Sequence, residues 1–479
     1  MYRINKERLK TCILLVLLAT SLVQVGILWD YQNHGFPINF FMSVIKGAAS
    51  GSYDADMASE EFFKPFRIVV SDGGKSHWLI DRRNELHGEL WNEAKTCLKA
   101  IMASPRKNFE IYNGDWGDVA IRKGAVFEFK ARIKSGLLKW FLEMADSTAD
   151  EPAGLCKMKL IPGYGNENVG QVYVLDGNTI YRYDAKIGGG KNGSENVVDY
   201  AVAKLKQDKR NEINAYNVFR EVNPWGKINI SQDALCVMGG TKYRQFRSIN
   251  YCVPEKASSF DQMAGVIFRG NEKDSYNLYR DANDTIAFIN PDNMYRIHGN
   301  GLLEYKYMAG PASADKGAVS AAFDKAARFV GRIAGHLPPG ADIYISGITE
   351  EKDFYRFSFD YIVEGFPVYF NIKPSGKERE PAAAVMYAIT VEADGKRVLG
   401  CRWMIKRFEQ GGSMGSYNVN LVDILDLSAK YDKNKDFVKD MGVAYVVEAD
   451  DGRDVEPVWA IELAEGGLDF VRMSRQRGN

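Results

Sequence analysis

The chain has 479 residues, 46% apolar and 26% charged, which is the composition of a folded protein and excludes wholesale disorder. Lys+Arg and Asp+Glu both total 62, so there is no basic surplus to neutralise phosphates, and nucleic-acid binding is set aside. With 25 Tyr and 25 Phe, strands are favoured over helices, and the length suggests about three domains.

Residues 1–10 carry Arg3, Lys6, Arg8 and Lys10 against a single acid, Glu7, and read as a cytoplasmic tail. Residues 11–29 contain no charge, and at about 1.5 Å per residue they span the roughly 30 Å hydrocarbon layer as one transmembrane helix. The charge bias places the N-terminus in the cytoplasm and the rest of the chain outside the cell membrane. Trp29 and Tyr31 suit the outer interface. A cleaved signal peptide has a shorter apolar core, and here the run continues well past the small-residue site Ala19-Thr20-Ser21. Cys12 opens the run, whereas a lipoprotein cysteine would end it. Leu17, Thr20, Gln24 and Leu28 share one helix face. Gln24 is costly in lipid without a partner, so this face reads as a contact with another membrane helix or as a tolerated polar site near the interface.

Residues 30–60 read as a juxtamembrane linker with a possible short helix at 36–45. The first extracytoplasmic region, 61–226, opens with strands at 66–70 and 77–80 around a Gly73-Gly74 turn. A helix follows over 84–103 on the spacing of Leu86, Leu90, Trp91, Ala94, Leu98 and Met102, with Pro105 marking its end. Further strands are expected at 109–112, 125–133, 171–175 and 179–183, with a helix at 196–206. The second region, 227–312, has a short helix near 260–269 and a meander at 285–289, 294–297 and 302–307. The third, 313–479, begins with an amphipathic helix over 318–334. Strands follow at 354–363, 368–372, 385–392, 398–408, 443–448 and 458–463, with a short helix at 421–431. Asp394-Gly395 is a strong hairpin signal. The expected class is α+β: an N-terminal transmembrane helix, then about three strand-rich domains with antiparallel sheets and a few packing helices.

No catalytic, cofactor-binding or metal-binding residues emerge. His34, His77, His87, His298 and His336 share no ligand spacing and read as lone surface or turn residues. Gly188-Gly189-Gly190-Lys191 is followed by Asn192 where a phosphate loop needs Ser or Thr, so it reads as a flexible loop. Residues 432–436 alternate oxygen ligands, but Phe437 and Val443 replace the Gly and Glu of a calcium loop, leaving a solvated turn. Glu350 and Glu351 point to different faces and do not form a glycosidase pair. Of the six cysteines, Cys236 and Cys252 can close a loop, while buried apolar thiols are the simpler reading for all but Cys12.

In the third region Phe366-Pro367-Val368, Ala388-Ile389-Thr390-Val391 leading to Gly395-Lys396 and Val398, Val422-Asp423-Ile424 before Tyr431, and Glu456-Pro457-Val458-Trp459 resemble the C-terminal part of the YycH family. Phe268-Arg269 and the strands from Asn283 to Tyr307 are similar as well. The resemblance covers the anchor, the middle and the C-terminal third, and rests on element order and length. It fits YycH better than the shorter sister family YycI. The glycine-bearing stretch 186–195 departs from the pattern. The resemblance implies a regulator and not an enzyme: a membrane-anchored protein that contacts a WalK-like sensor histidine kinase, together with a YycI-like protein, in Gram-positive cell-wall homeostasis. The alternative is a cell-surface module that binds a peptide or glycan, or a PepSY-like peptidase inhibitor, using the curved sheet of the third region.

Overall fold

The computed structural model describes residues 60–475 apart from 75, 104–108, 145–151, 164–168, 189–195, 208–214, 223–229, 237–240, 251–260, 262, 266, 269–274, 281–284, 311–314, 335–340, 372–386, 412–414, 419–437, 449–453 and 464–466. The expected membrane helix (11–29), the expected helices at 36–45 and 421–431 and the solvated turn expected at 432–436 lie outside these residues. Among the described residues no helix is long and apolar enough to cross a membrane. Residues 53–479 form one compact unit built on two large sheets.

The N-terminal lobe contains β1 (Arg67–Ser71), β2 (His77–Ile80), β3 (Phe109–Ile111), β4 (Gly124–Lys134), β5 (Gly154–Ile161), β6 (Val169–Asp176), β7 (Thr179–Lys186), β8 (Ala215–Val218) and β9 (Leu235–Cys236). They pair antiparallel in the order β3-β7-β6-β5-β4-β1-β2-β8-β9. Helix α1 (Glu85–Ala103) starts where the Asn84 side-chain Oδ1 accepts the Leu86 N–H at 3.0 Å, and it stops before Pro105. Its stripe of Leu86, Leu90, Trp91, Ala94, Leu98 and Ile101 lies buried. Short helices α2 (Trp116–Ala120) and α3 (Ser135–Phe141) flank β4. α4 (Val197–Gln207) is capped by Asn196, whose side-chain Oδ1 accepts the Asp199 N–H at 2.8 Å, and α5 (Phe219–Val222) follows β8.

The sequence pattern does not predict strand β5, because Lys157 and Lys159 interrupt its apolar run. Lys159 is nonetheless fully buried. Its ammonium donates to the carbonyls of Ala120 (2.7 Å) and Arg122 (2.6 Å), satisfying the C-terminal end of α2.

The remaining strands run from β10 (Thr241–Tyr243) and β11 (Phe246–Asn250) through β12 (Asn277–Arg280), β13 (Ile286–Ile289), β14 (Asn293–Ile297) and β15 (Leu302–Tyr307). Helix α6 (Val319–Ala334) buries Ala322, Phe323, Ala326, Val330 and Ile333, as its spacing predicts. Then come β16 (Ala341–Glu350), β17 (Tyr355–Val363), β18 (Phe366–Asn371), β19 (Ile389–Ala393), β20 (Val398–Met404), β21 (Lys406–Gln410) and β22 (Gly415–Asn418). The last are β23 (Val438–Glu448), β24 (Asp454–Val455), β25 (Pro457–Leu463), β26 (Leu468–Arg472) and β27 (Ser474–Arg475). The second large sheet has the order β12-β13-β14-β15-β20-β19-β17-β18-β23-β25-β26, with β16 also on β17. Glu364 (φ 52°) and Gly365 (φ 83°) make the two-residue turn between β17 and β18, the left-handed pair that hairpin twist requires.

Among the described strands the pairs are antiparallel except β18 with β23. Strands of the expected second region pair with those of the third: β10 with β22, β11 with β21 and β24, and β15 with β20. One hydrophobic core runs without interruption from α1 and the N-terminal sheet to α6 and β17–β20. A second, on the other face of the N-terminal sheet, joins Val69, Trp116 and Tyr173 to Tyr417, Val443 and Trp459.

Candidate functional site

The groups that the sequence singles out on the expected membrane helix, Leu17, Thr20, Gln24 and Leu28, lie outside the described residues. The chemistry that can be located sits at the seam between the two lobes. In β4, Glu128, Lys130 and Arg132 alternate with Phe127, Phe129 and Ala131, a pattern that reads as a solvent face. Arg132 is exposed, but Glu128 is buried, because that face meets β23 and β25 of the other lobe.

Arg67 on β1 pairs with Glu128 and, at 3.0 Å, with Asp440 on β23. Lys130 reaches Asp440 at 3.0 Å and Glu462 on β25 at 2.7 Å. Lys157 on β5 pairs with Glu128 at 3.3 Å and with Asp233. Lys439 closes the rim on Glu462 at 2.6 Å. Arg67, Lys130, Lys157 and Lys439 thus meet Glu128, Asp233, Asp440 and Glu462, and the network is neutral. Burial opposes the charge on Arg67, Lys130 and Lys157, but the facing carboxylates outweigh it and hold all three above their ordinary pKa. Burial likewise opposes ionisation of Asp440 and Glu462. Arg67 and Lys130 overcome it at Asp440, as Lys130 does at Glu462, and both carboxyls sit below the usual range.

A cleft of about 40 Å³ opens on the network, lined by Arg67, Lys130, Asp440 and Glu462 together with Phe66 and Tyr369. That volume is room for about three waters. Among the described residues no three His, Cys, Asp or Glu side chains converge on a possible metal position. Three of these pairs, Arg67–Asp440, Lys130–Asp440 and Lys130–Glu462, cross between the lobes and clamp them together, and the others hold the network within each lobe.

Two histidines depart from the expected surface positions. His77 on β2 is fully buried, with Nε2 3.1 Å from Glu221 of α5. Burial lowers its pKa, against the pull of Glu221. His87 is 2% exposed, and no side-chain or backbone partner meets its Nε2. Burial, with Arg82 and Lys64 nearby, pushes its pKa down to about 3. The signal was available in the helix spacing, since residue 87 is four before Trp91 and seven before Ala94 and so falls on the apolar stripe. His298 does lie in a turn, 3.0 Å from Glu304. His34 and His336 are outside the described residues.

Glu350 is neutralised by Lys134 and Lys316, and Glu351 by Arg356, so the acidic pair is split as its spacing implies. Gly188 donates its N–H to Glu93 at 2.6 Å, while the rest of that glycine run is outside the described residues. Cys97, Cys156 and Cys401 are free thiols. Burial, and then Glu93, push Cys97 up to about 12, leaving it an inert thiol. The Cys236–Cys252 pairing falls outside the described side chains. At the edge of the second large sheet, β12 exposes its whole length, with Leu278 60% and Tyr279 55% accessible.

No protein-family model matches the chain, and no curated protein matches it. Among solved structures, the chain is similar to the crystal structure of YycH from Bacillus subtilis, with a TM-score of 0.54 and 14% identity over 86% of this chain and 96% of that one. An uncharacterized protein from Eubacterium rectale aligns with a TM-score of 0.33 and 15% identity over 53% of this chain and 92% of that one, too low to carry an argument. The fold of this chain is therefore YycH-like across most of its length.

Proposed function

We propose that the chain is a membrane-anchored accessory regulator of a WalK-like sensor histidine kinase, serving cell-wall homeostasis together with a YycI-like protein. The observation that carries this reading is the YycH-like fold, which spans 96% of the solved YycH chain. The uncharged run at 11–29, preceded by four basic residues, supplies the anchor and the orientation, with the N-terminus cytoplasmic and the folded unit outside the membrane. A regulator of this kind transmits through contact and needs no catalytic residues. The face of Leu17, Thr20, Gln24 and Leu28 is the proposed contact with a kinase helix.

The test is a crosslinked pull-down from native membranes, comparing the intact chain with one whose residues 11–29 are replaced by an unrelated apolar helix. A histidine kinase recovered with the first and lost with the second supports the reading. Recovery of no kinase with either sinks it. The exposed edge strand β12 favours a second reading, a surface module that adds an extended peptide to its sheet. That reading predicts that function survives the helix exchange.

A further inference from the structure

The chain enters the folded unit through residues 60–67, and this short segment touches both lobes. Phe62 and Phe63 are adjacent and buried, 3% and 1% exposed. The Phe63 ring stacks on Phe141 of α3 at 4.5 Å and meets the edge of Phe323 of α6 at 5.0 Å. Phe62 packs on Phe359 of β17 at 5.3 Å. Phe141 belongs to the N-terminal lobe, and Phe323 and Phe359 to the C-terminal one, so the two rings form a wedge in the seam.

The backbone beside the wedge is fastened as well. Arg82 donates to the carbonyls of Lys64 (3.0 Å) and Pro65 (3.2 Å) and to that of Ile343 on β16 (3.3 Å). One guanidinium therefore ties the entering segment to both lobes. Phe66 lies against Tyr344 at 5.2 Å and beneath the Lys130 ammonium at 4.8 Å. Arg67 then joins the ion network. Glu60 and Glu61 pair locally, with Lys95 and Lys64, but from Phe62 to Arg67 the segment runs through contacts that reach both lobes.

We propose that residues 60–67 are a mechanical strap: displacement of the chain N-terminal to Glu60 withdraws Phe62 and Phe63 from the seam and loosens the two lobes. Linkage makes the coupling reciprocal, so an event outside that parts the lobes slackens the strap. As a device for signalling, the strap rests on the anchored-regulator reading for the source of its displacement, whereas its hold on the seam does not.

The test uses the full chain in lipid nanodiscs and two readouts that involve no kinase, so failure of the strap and failure of the regulator reading are told apart. In hydrogen exchange, Phe62→Ala/Phe63→Ala is expected to speed exchange about tenfold in α3, α6 and β16 while leaving β6 and β7 unchanged. Arg82→Met, which keeps the wedge and removes its carbonyl ties, is expected to give the same pattern more weakly. Uniform acceleration, or none, in both variants overturns the strap. The second readout is single-molecule pulling between Met1 and a handle at Arg402→Cys. The wild type is expected to release the strap and part the lobes in one event before either sheet unfolds, and the double alanine variant to do so at about half the force. Release of the segment with the lobes still joined overturns the proposal.

Discussion

Asp440→Asn is the sharpest test of the seam. Asp440 lies 3.0 Å from both Arg67 and Lys130. Asparagine keeps the shape and one acceptor but leaves the buried network with a net positive charge. At an effective dielectric of about 20, each pair at this distance has a gross attraction of roughly 5 kcal/mol, most of it offset by the several kcal/mol needed to desolvate the ions. Removing one partner from such a network costs about 3–5 kcal/mol. Asp440 retains 17% exposure, which puts the expected loss at the low end, about 3 kcal/mol. The assay is urea denaturation of the full chain followed by Trp fluorescence, repeated with Lys130→Met and the double variant. The folded pKa of Asp440 is depressed, so its contribution is present above the unfolded carboxylate value, about 3.9, and is lost as pH falls below it. Asp440→Asn should therefore flatten the acid limb of the stability profile. A loss under about 1 kcal/mol, as for an exposed pair, or strict additivity with Lys130→Met, would refute the clamp.

Asp360 sits on β17 where the ladder passes from β18 to β19, and its carboxylate accepts the Ala388 N–H at 2.8 Å. Burial raises it to about 6 from 3.8, against that hydrogen bond and the Lys130 charge, so its favourable contribution is complete below pH 3.8 and is lost as pH rises through 6. Asp360→Asn, which keeps the acceptor, should stabilise the fold by about 3 kcal/mol at pH 8 and by little at pH 4, read from urea midpoints at the two pH values. For His87 the sign is opposite: its folded pKa of about 3 makes it a source of stability above pH 6.5 that is lost as pH falls toward 3. His87→Leu should leave neutral stability unchanged or higher and make the decline between pH 6.5 and 3 shallower. An unchanged acid profile would mean that His87 protonates without strain. On the proposed membrane helix, Gln24→Leu should weaken recovery of the proposed kinase partner about fivefold if Gln24 bonds across helices. Unchanged recovery would favour the tolerated polar site.

Local patterns made much of the fold legible. The strand at His77–Ile80 and that at Leu302–Tyr307 have the bounds that alternation and turn residues predict. Helices α1, α4 and α6 follow their apolar stripes and caps to within a residue. The failures share a cause. Lysines hid β5, because nothing local indicates that Lys159 will find two carbonyls at the end of α2. Pro338-Pro339-Gly340 ended the α6 reading, and β16 beyond it went unseen. The seam was invisible because its partners are far apart in sequence, Arg67 with Asp440 and Lys130 with Glu462. Glu128 and Lys130 look like solvent-facing positions until the second lobe covers them. The membrane face at Leu17, Thr20, Gln24 and Leu28 is a reading of sequence alone.

Whether this YycH-like chain changes the activity of a sensor kinase, as we propose, is read most directly from the autophosphorylation rate of a WalK-like kinase from the same cell, reconstituted in lipid nanodiscs with and without the full chain. The intact chain is expected to shift the rate, and the chain with residues 11–29 exchanged for an unrelated apolar helix is expected to leave it unchanged. An identical rate with the intact chain, with the exchanged chain and with none would contradict the proposal.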